Sequence, residues 1–324
     1  MPPSSPSLPL QPAVDHFLGS EYGVPMERTA APYHWRALVA LVSRLPQGPL
    51  SRAAGRLADI RLPGPLRRSV LSAFARMAGL DVSEAELPLV DYPTLDAFFV
   101  RRLKPGLRPI PDDPDVVVSP VDGRLAELGQ IEDGRLLQVK GIRYSVVDLL
   151  DDPGEAARYQ GGLYVTIYLS PRDYHRIHAP CSGRLDWARH VPGRVFPVNP
   201  PAAALVPDLF ARNERLICAV DGTAGRLAVV AVAAFNVGCI SSEFDPSWNG
   251  PRGGVTNRRG VEAATRRYDP AIEIARCDEL MAFHLGSTIV MLIEKGAARL
   301  RPDLQPGAPV RLGQPLAEPS VESE

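Results

Sequence analysis

Several absences in this sequence exclude whole classes of function. The 324 residues hold four cysteines, Cys181, Cys218, Cys239 and Cys277. No two form a C-x-x-C pair, and none has the His/Cys spacing of a zinc site. They read as buried thiols in a reducing compartment, with no disulfide framework and no metal. Long hydrophobic runs are missing too. The longest, Leu227 to Phe235, has nine residues, against the roughly 20 a membrane-spanning helix requires. The opening MPPSSPSLPLQPAVDHF has neither the basic leader nor the apolar stretch of a signal peptide, so none is expected. Lysine occurs three times beside 33 arginines, a bias that reads as base composition rather than chemistry. Net charge is −1, which gives no general attraction to nucleic acid, and no such partner is expected.

What is present is an ordinary globular composition, 45% hydrophobic and 23% charged, with enough apolar mass for a sizeable core. The 34 prolines and 27 glycines are too many for a helical bundle and suit short strands joined by turns. Residues 1–34 are Pro/Ser-rich at the start and read as a flexible N-terminal arm. Residues 35–108 read as helical. Leu38, Leu41, Val42 and Leu45 make one apolar stripe ended by Pro46, and Leu66, Val70, Phe74 and Met77 another ended by Gly79. A short third helix follows Pro93, with Leu95, Phe98 and Phe99 apolar. From Trp35 to Arg76 eight arginines face one acid, Asp59, and such a basic amphipathic stretch suits either packing or an anionic membrane surface.

From residue 109 to the end the pattern is strand-like. VVVSPVDGRL, EDGRLLQV, GGLYVTIYL, CSGRLDWA, GRLAVVAVAAF and STIVMLI recur at short spacing. Four turns read x-Gly-Arg-Leu, at Gly123, Gly134, Gly183 and Gly225, where glycine permits positive φ. Gly307 to Leu316 reads as a final hairpin. The predicted fold is α+β and mainly β: a compact antiparallel barrel or sandwich preceded by basic amphipathic helices.

Three islands could carry chemistry. Ser119-Pro-Val-Asp122-Gly123 is by itself most simply an Asx turn. Tyr168-Leu-Ser-Pro-Arg172-Asp173-Tyr174-His175-Arg176-Ile-His178-Ala-Pro180 sets two of the six histidines three apart in a polar loop. No further metal ligand stands at suitable spacing, whereas acid/base work needs only a carboxylate and a proton to move. Phe283-His284-Leu-Gly286-Ser287-Thr288 leads into an apolar strand. Beside the plain hairpin entry, Ser287 has two reactive readings. One is a hydrolase nucleophile with His178 and Asp122, without a G-x-S-x-G elbow. The other is attack on the carbonyl of Gly286, whose missing side chain tolerates a strained backbone.

These islands, in this order, resemble the bacterial phosphatidylserine decarboxylase family of self-processing, pyruvoyl-dependent enzymes. Thr94 to Ile110, Leu137-Gln-Val-Lys-Gly-Ile-Arg-Tyr-Ser145, His190-Val-Pro-Gly-Arg-Val-Phe-Pro-Val-Asn199 and Leu209-Phe-Ala-Arg-Asn-Glu-Arg215 extend the likeness over residues 35 to 317. The resemblance implies cleavage between Gly286 and Ser287. Asp122 would orient His178, His178 would take the Ser287 proton, and Ser287 would become a covalent pyruvoyl group that replaces pyridoxal phosphate. That group would form a Schiff base with the substrate, and His175, or alternatively His178, would protonate the product. Chains 1–286 and 287–324 would stay together. Lys140, the other amine that a Schiff base would suggest, has a structural role on this reading.

The resemblance further implies phosphatidylserine as substrate and phosphatidylethanolamine and carbon dioxide as products. It implies a homodimer, and a peripheral enzyme on the cytoplasmic face of the membrane. Arginines of the basic helices would meet anionic headgroups, while Trp35, Leu38, Val42, Val70 and Phe74 would meet acyl chains. Arg172, Arg176 and Arg194 are available to the phosphate. The sequence departs from the family at Ala233 to Cys239, at Met281, and at Cys277, where glycine is commoner. The alternatives are a decarboxylase of a free or differently linked amino acid, a Ser-His-Asp hydrolase, and a non-catalytic binding module.

Overall fold

The computed structural model describes residues 33–139, 141–235, 238–251, 253–284 and 286–320. Most of the N-terminal arm, and Lys140, lie outside the described residues. The centre is an eight-stranded antiparallel sheet in the order Ala264–Ile274, Gly183–Val191, Arg215–Gly222, Gly225–Ala233, Ser287–Ile293, Leu163–Leu169, Gly123–Gln130 and Pro309–Val310. Its middle strands read as continuous apolar runs because both faces are covered. Ser287–Ile293 is buried at every position. Ile289, Met291 and Ile293 enter one core, and Val290 and Leu292 enter the other.

The first core is closed by two three-stranded sheets: Ile240–Ser242, Glu279–Phe283 and Arg176–His178 in one, and Val117–Val118, Pro315–Pro319 and Ala298–Leu300 in the other. The second core is closed by the hairpin Arg135–Val139/Ile142–Ser145 and by short helices, among them Val146–Leu150 and Pro200–Leu205. Each buried Leu, Ile or Val side chain contributes about 1.5–3 kcal/mol, so these two cores dominate the stability. The large sheet does not close on itself. Of the two architectures expected, the layered sandwich is the one found.

Two local expectations need correction. The predicted hairpin of residues 307–316 is not one: Pro309–Val310 pairs with Gly123 and Arg124, while Pro315–Pro319 joins the small sheet beside Val117–Val118. Of the four x-Gly-Arg-Leu turns, only Gly134 and Gly225 take positive φ. Gly123 and Gly183 instead allow close approach, since a Cβ would lie 2.6 Å from the Tyr168 carbonyl oxygen and 2.3 Å from that of Asp221 respectively.

The N-terminal segment is helical at Tyr33–Arg44, Gln47–Ala58, Gly64–Ala78 and Leu95–Phe99. Thr94 caps the last by accepting from the Ala97 N–H at 2.9 Å. Gly79 ends the third in the left-handed conformation. Leu71, Ala75, Tyr92 and Phe98 form a third, small core. Val42, expected to face acyl chains, is instead buried. The exposed apolar side chains of this region include Tyr33, Leu41, Leu57, Ile60, Leu66 and Met77, with Leu38, Leu50 and Val70 more covered. No helix among the described residues is long and apolar enough to cross a membrane.

Candidate active site

Strand register gathers the three islands at one end of the large sheet. Arg124 pairs with Tyr168, Tyr168 with Thr288, and Thr288 with Val232. One step toward that end, Ser287 stands between Leu169 and Ala233. Asp122 precedes the strand Gly123–Gln130 at the same end. The Ser119–Asp122 loop runs beside the histidine segment, because the His178 N–H donates to the Pro120 carbonyl at 2.9 Å. Ser287 alternates with Ile289 and Met291, so its side chain faces the first core, the side covered by the sheet that contains Arg176–His178.

The Ser287 Oγ is buried and has no hydrogen-bond partner among the described residues. A buried hydroxyl left unpaired costs about 1–3 kcal/mol, so this position is not optimised for stability alone. Gly286, immediately before it, has φ +27°, and nothing lies within 4 Å of where its Cβ would be. A side chain there would meet backbone strain rather than crowding.

His178 is held at both nitrogens. Its Nδ1–H donates to the Cys277 carbonyl at 2.7 Å, which leaves Nε2 as the acceptor, 3.1 Å from the Tyr174 hydroxyl. Burial is the largest influence on the ring and lowers its pKa, favouring the neutral base. Asp122 does not orient this ring, contrary to expectation. Its carboxylate accepts from Arg108 at 2.5–3.1 Å and from the Leu312 N–H at 2.8 Å. Arg108 also binds Glu84. The charge of Asp122 still acts on His178 through space, raising its pKa slightly against the larger effect of burial.

Cys277 adopts φ +67°, a left-handed conformation that favours glycine. Its carbonyl is the one that fixes the His178 tautomer.

His175 is fully buried. Its Nδ1–H donates to the Asp173 carbonyl at 2.9 Å, its ring lies 4.2 Å from that of Phe99, and its Nε2 has no partner among the described residues. Burial pushes its pKa down to about 3. In the resting chain the neutral ring is favoured, with a lone pair on Nε2. The Phe283 N–H donates to the His175 carbonyl, which ties this histidine to the segment that leads into Ser287.

Sequence reasoning missed Arg108, Tyr174 and the His284–Asp96 pair. The His284 Nδ1–H donates to the Asp96 carboxylate at 2.7 Å, and its Nε2 stands 3.3 Å from the Ser241 hydroxyl. Its place three residues before Ser287 was the available signal. Among the described residues, no group of His, Cys, Asp and Glu is arranged to hold a metal ion.

The fold and site together are a mainly β sandwich in which a histidine-bearing layer covers the face of the large sheet that holds a buried serine, just after a glycine at positive φ. Comparison with known proteins gives the family. The family model described as phosphatidylserine decarboxylase matches residues 95–318. A phosphatidylserine decarboxylase proenzyme of Anaeromyxobacter sp. (strain K) is 46% identical over 87% of this chain and 98% of its own length. Proteins of the same description from Myxococcus xanthus (40% identical over 86% and 97%) and Yersinia enterocolitica (43% over 85% and 93%) are similar to it as well. The chain belongs to the phosphatidylserine decarboxylase family.

Proposed function

We propose that this chain is a precursor that cuts itself between Gly286 and Ser287. On this reading its mature form decarboxylates phosphatidyl-L-serine to phosphatidylethanolamine and carbon dioxide. The observation that carries the reading is the Ser287 Oγ, buried and without a partner among the described residues, beside a glycine at positive φ. The proenzyme description of the relatives agrees with it.

The Ser287 hydroxyl attacks the Gly286 carbonyl carbon, and His178, neutral because it is buried, takes the proton at Nε2. The Gly286–Ser287 C–N bond breaks as the C–O ester bond forms, and the proton passes to the freed amine. Loss of the Cα proton of residue 287 then expels the Gly286 carboxylate and leaves an enamine. Water hydrolyses that enamine to the pyruvoyl carbonyl and releases ammonia, so atoms balance. The space around Gly286 and the absence of a competing partner on Ser287 fit this group. Its carbonyl supplies an electron sink for the charge left at the substrate's α-carbon when carbon dioxide departs. His175 accepts a proton at Nε2 and can return it, while the first core and the Phe99 ring keep water from that side.

The exposed apolar side chains Leu41, Leu57, Ile60, Leu66 and Met77 beside basic residues support docking of the helical region on an anionic bilayer as a peripheral protein. The first test is the intact mass of the denatured protein beside a Ser287→Ala variant. Two species, 1–286 and an N-terminally blocked 287–324, are expected for the natural sequence, and one uncut species for the variant. A single uncut chain in both removes the electron sink and the decarboxylase reading. Ser287 labelled by a fluorophosphonate in that uncut chain would instead identify a hydrolase.

A further inference from the structure

The arginines on which the basic helices were expected to depend do not all face outward from the sandwich. The helix Gln47–Ala58 lies against the segment beside Ser287: the Cβ that Gly55 lacks would sit 2.9 Å from the Gly238 Cα. Gly238 in turn donates its N–H to the His284 carbonyl, and the His284 N–H donates to the Cys239 carbonyl. Between this helix, these residues and the chain around 250–259 is a cavity of about 340 Å³. Arg52, Arg56, Arg258 and Arg259 line it, together with His284 and two carboxylates, Asp59 and Asp96.

The charge of this cavity is uneven. Asp96 is taken by His284, and Arg52 donates to the Asn257 side chain at 3.4 Å. Arg56, Arg258 and Arg259 have no ion-pair or hydrogen-bond partner among the described residues. Three other candidates for an anion are less suitable. Arg176 is committed to Glu279 at 2.6 Å and to the Val100 carbonyl at 2.8 Å. Arg172 is half exposed and stands 3.9 Å from Asp173. Arg194 lines only the smaller adjoining cavity, which shares Arg52 and Arg258.

We propose that the cavity under the helix Gln47–Ala58 binds the phosphodiester of the lipid headgroup through Arg56, Arg258 and Arg259. Three residues of chain span at most about 10 Å, so His284 on the cavity wall sets the anion site within a headgroup's reach of Ser287. Guanidinium groups suit a phosphodiester because they offer parallel donors to its oxygens and retain their charge. The proposal rests on the decarboxylase reading and specifies how that site selects a phospholipid over a free amino acid. It also gives the second helix a place in the substrate site, beyond its exposed side.

The test uses the mature enzyme carrying Arg258→Gln and Arg259→Gln together, and separately Arg56→Gln. Substrate is dihexanoyl phosphatidylserine below its micellar concentration, so that membrane affinity does not enter. Self-cleavage should go to completion, which shows that the variants fold. KM should rise about ten-fold or more in the double variant, the loss expected when charge-assisted hydrogen bonds to an anion are removed, with kcat little changed. Inorganic phosphate should compete with substrate in the natural enzyme and compete more weakly in the variant. An unchanged KM overturns the proposal. If phosphate inhibition alone weakens, the cavity is a free-anion site. If only binding to phosphatidylglycerol vesicles weakens, the arginines serve the bilayer surface. Failure of the underlying reading is recognisable separately, because the natural sequence would then neither cut nor turn over, and the headgroup assignment would fall with it.

Discussion

Removal of the Ser287 hydroxyl should do two things that usually oppose each other: abolish processing and strengthen the fold. Comparison requires chains that are uncut in both arms, so the substitution is made in a His178→Ala background. The buried Oγ has no partner among the described residues, and Ser287 is 1% exposed between Leu169 and Ala233. Replacing it with a methyl hydrogen relieves about 1–3 kcal/mol of unsatisfied burial. For a chain of this size about 2 °C accompanies each kcal/mol. The double variant should therefore melt about 2–6 °C above His178→Ala alone in a calorimetric scan. Gel electrophoresis of the same samples reports cleavage. A Tm that falls or stays level would mean that the hydroxyl is satisfied, and the argument from an unpaired nucleophile would be wrong. Cleavage of His178→Ala at the natural rate would dismiss His178 as the base and leave the role of Ser287 standing.

His175 gives an acid limb to stability. Its folded pKa of about 3 lies below the unfolded value near 6.5, so the unfolded chain binds the extra proton between them. Its contribution is complete above about pH 6.5 and is lost as pH falls toward 3, by up to about 1.4 kcal/mol per unit. In an uncut Ser287→Ala chain, His175→Leu should flatten that limb in urea titrations at successive pH values; an unaltered slope would place the proton uptake elsewhere. Cys277→Gly should stabilise the same uncut chain by about 1 kcal/mol, since φ +67° disfavours a side chain, and a lower denaturation midpoint would refute the strain. Gly55→Ala should run against helix propensity, destabilising by about 1–3 kcal/mol and slowing cleavage, because its Cβ would meet Gly238 at 2.9 Å. A stabilised, normally cut variant would show that the helix is not pressed on that segment.

The sheet strands with unbroken apolar runs were legible because period and composition agree there, as in Ser287–Ile293 and Gly225–Ala233. Ala264–Ile274 was not: its residues are mostly half-buried or exposed, as suits an edge strand, and Arg266, Arg267 and Asp269 break any apolar pattern. Within the segment read as helical, Gln47–Ala58 shows no apolar stripe of its own, because Gly48, Pro49 and Gly55 interrupt the pattern. In the site, the gathering of the islands could be read from their family order. The partner of His178 could not. A backbone carbonyl leaves no residue-type signature, and Arg108, which claims Asp122, stands 14 positions away in a segment without other reactive groups. The stripes of the first and third helices misled in part because burial follows Val39, Val42, Leu71 and Ala75, while larger apolar residues face outward.

The strand Ser287–Ile293 hydrogen-bonds along its whole length to Leu163–Leu169 on one side and Gly225–Ala233 on the other. A cut at its first residue converts one molecule into two that share a core. Denaturation of the mature protein then separates partners that were once tethered at high effective concentration. Its recovery becomes a second-order encounter between an incomplete long chain and a short peptide rich in β-branched residues. On the proposed reading folding therefore precedes the cut, and the renaturation yield of a cut form should depend on dilution while that of an uncut chain does not.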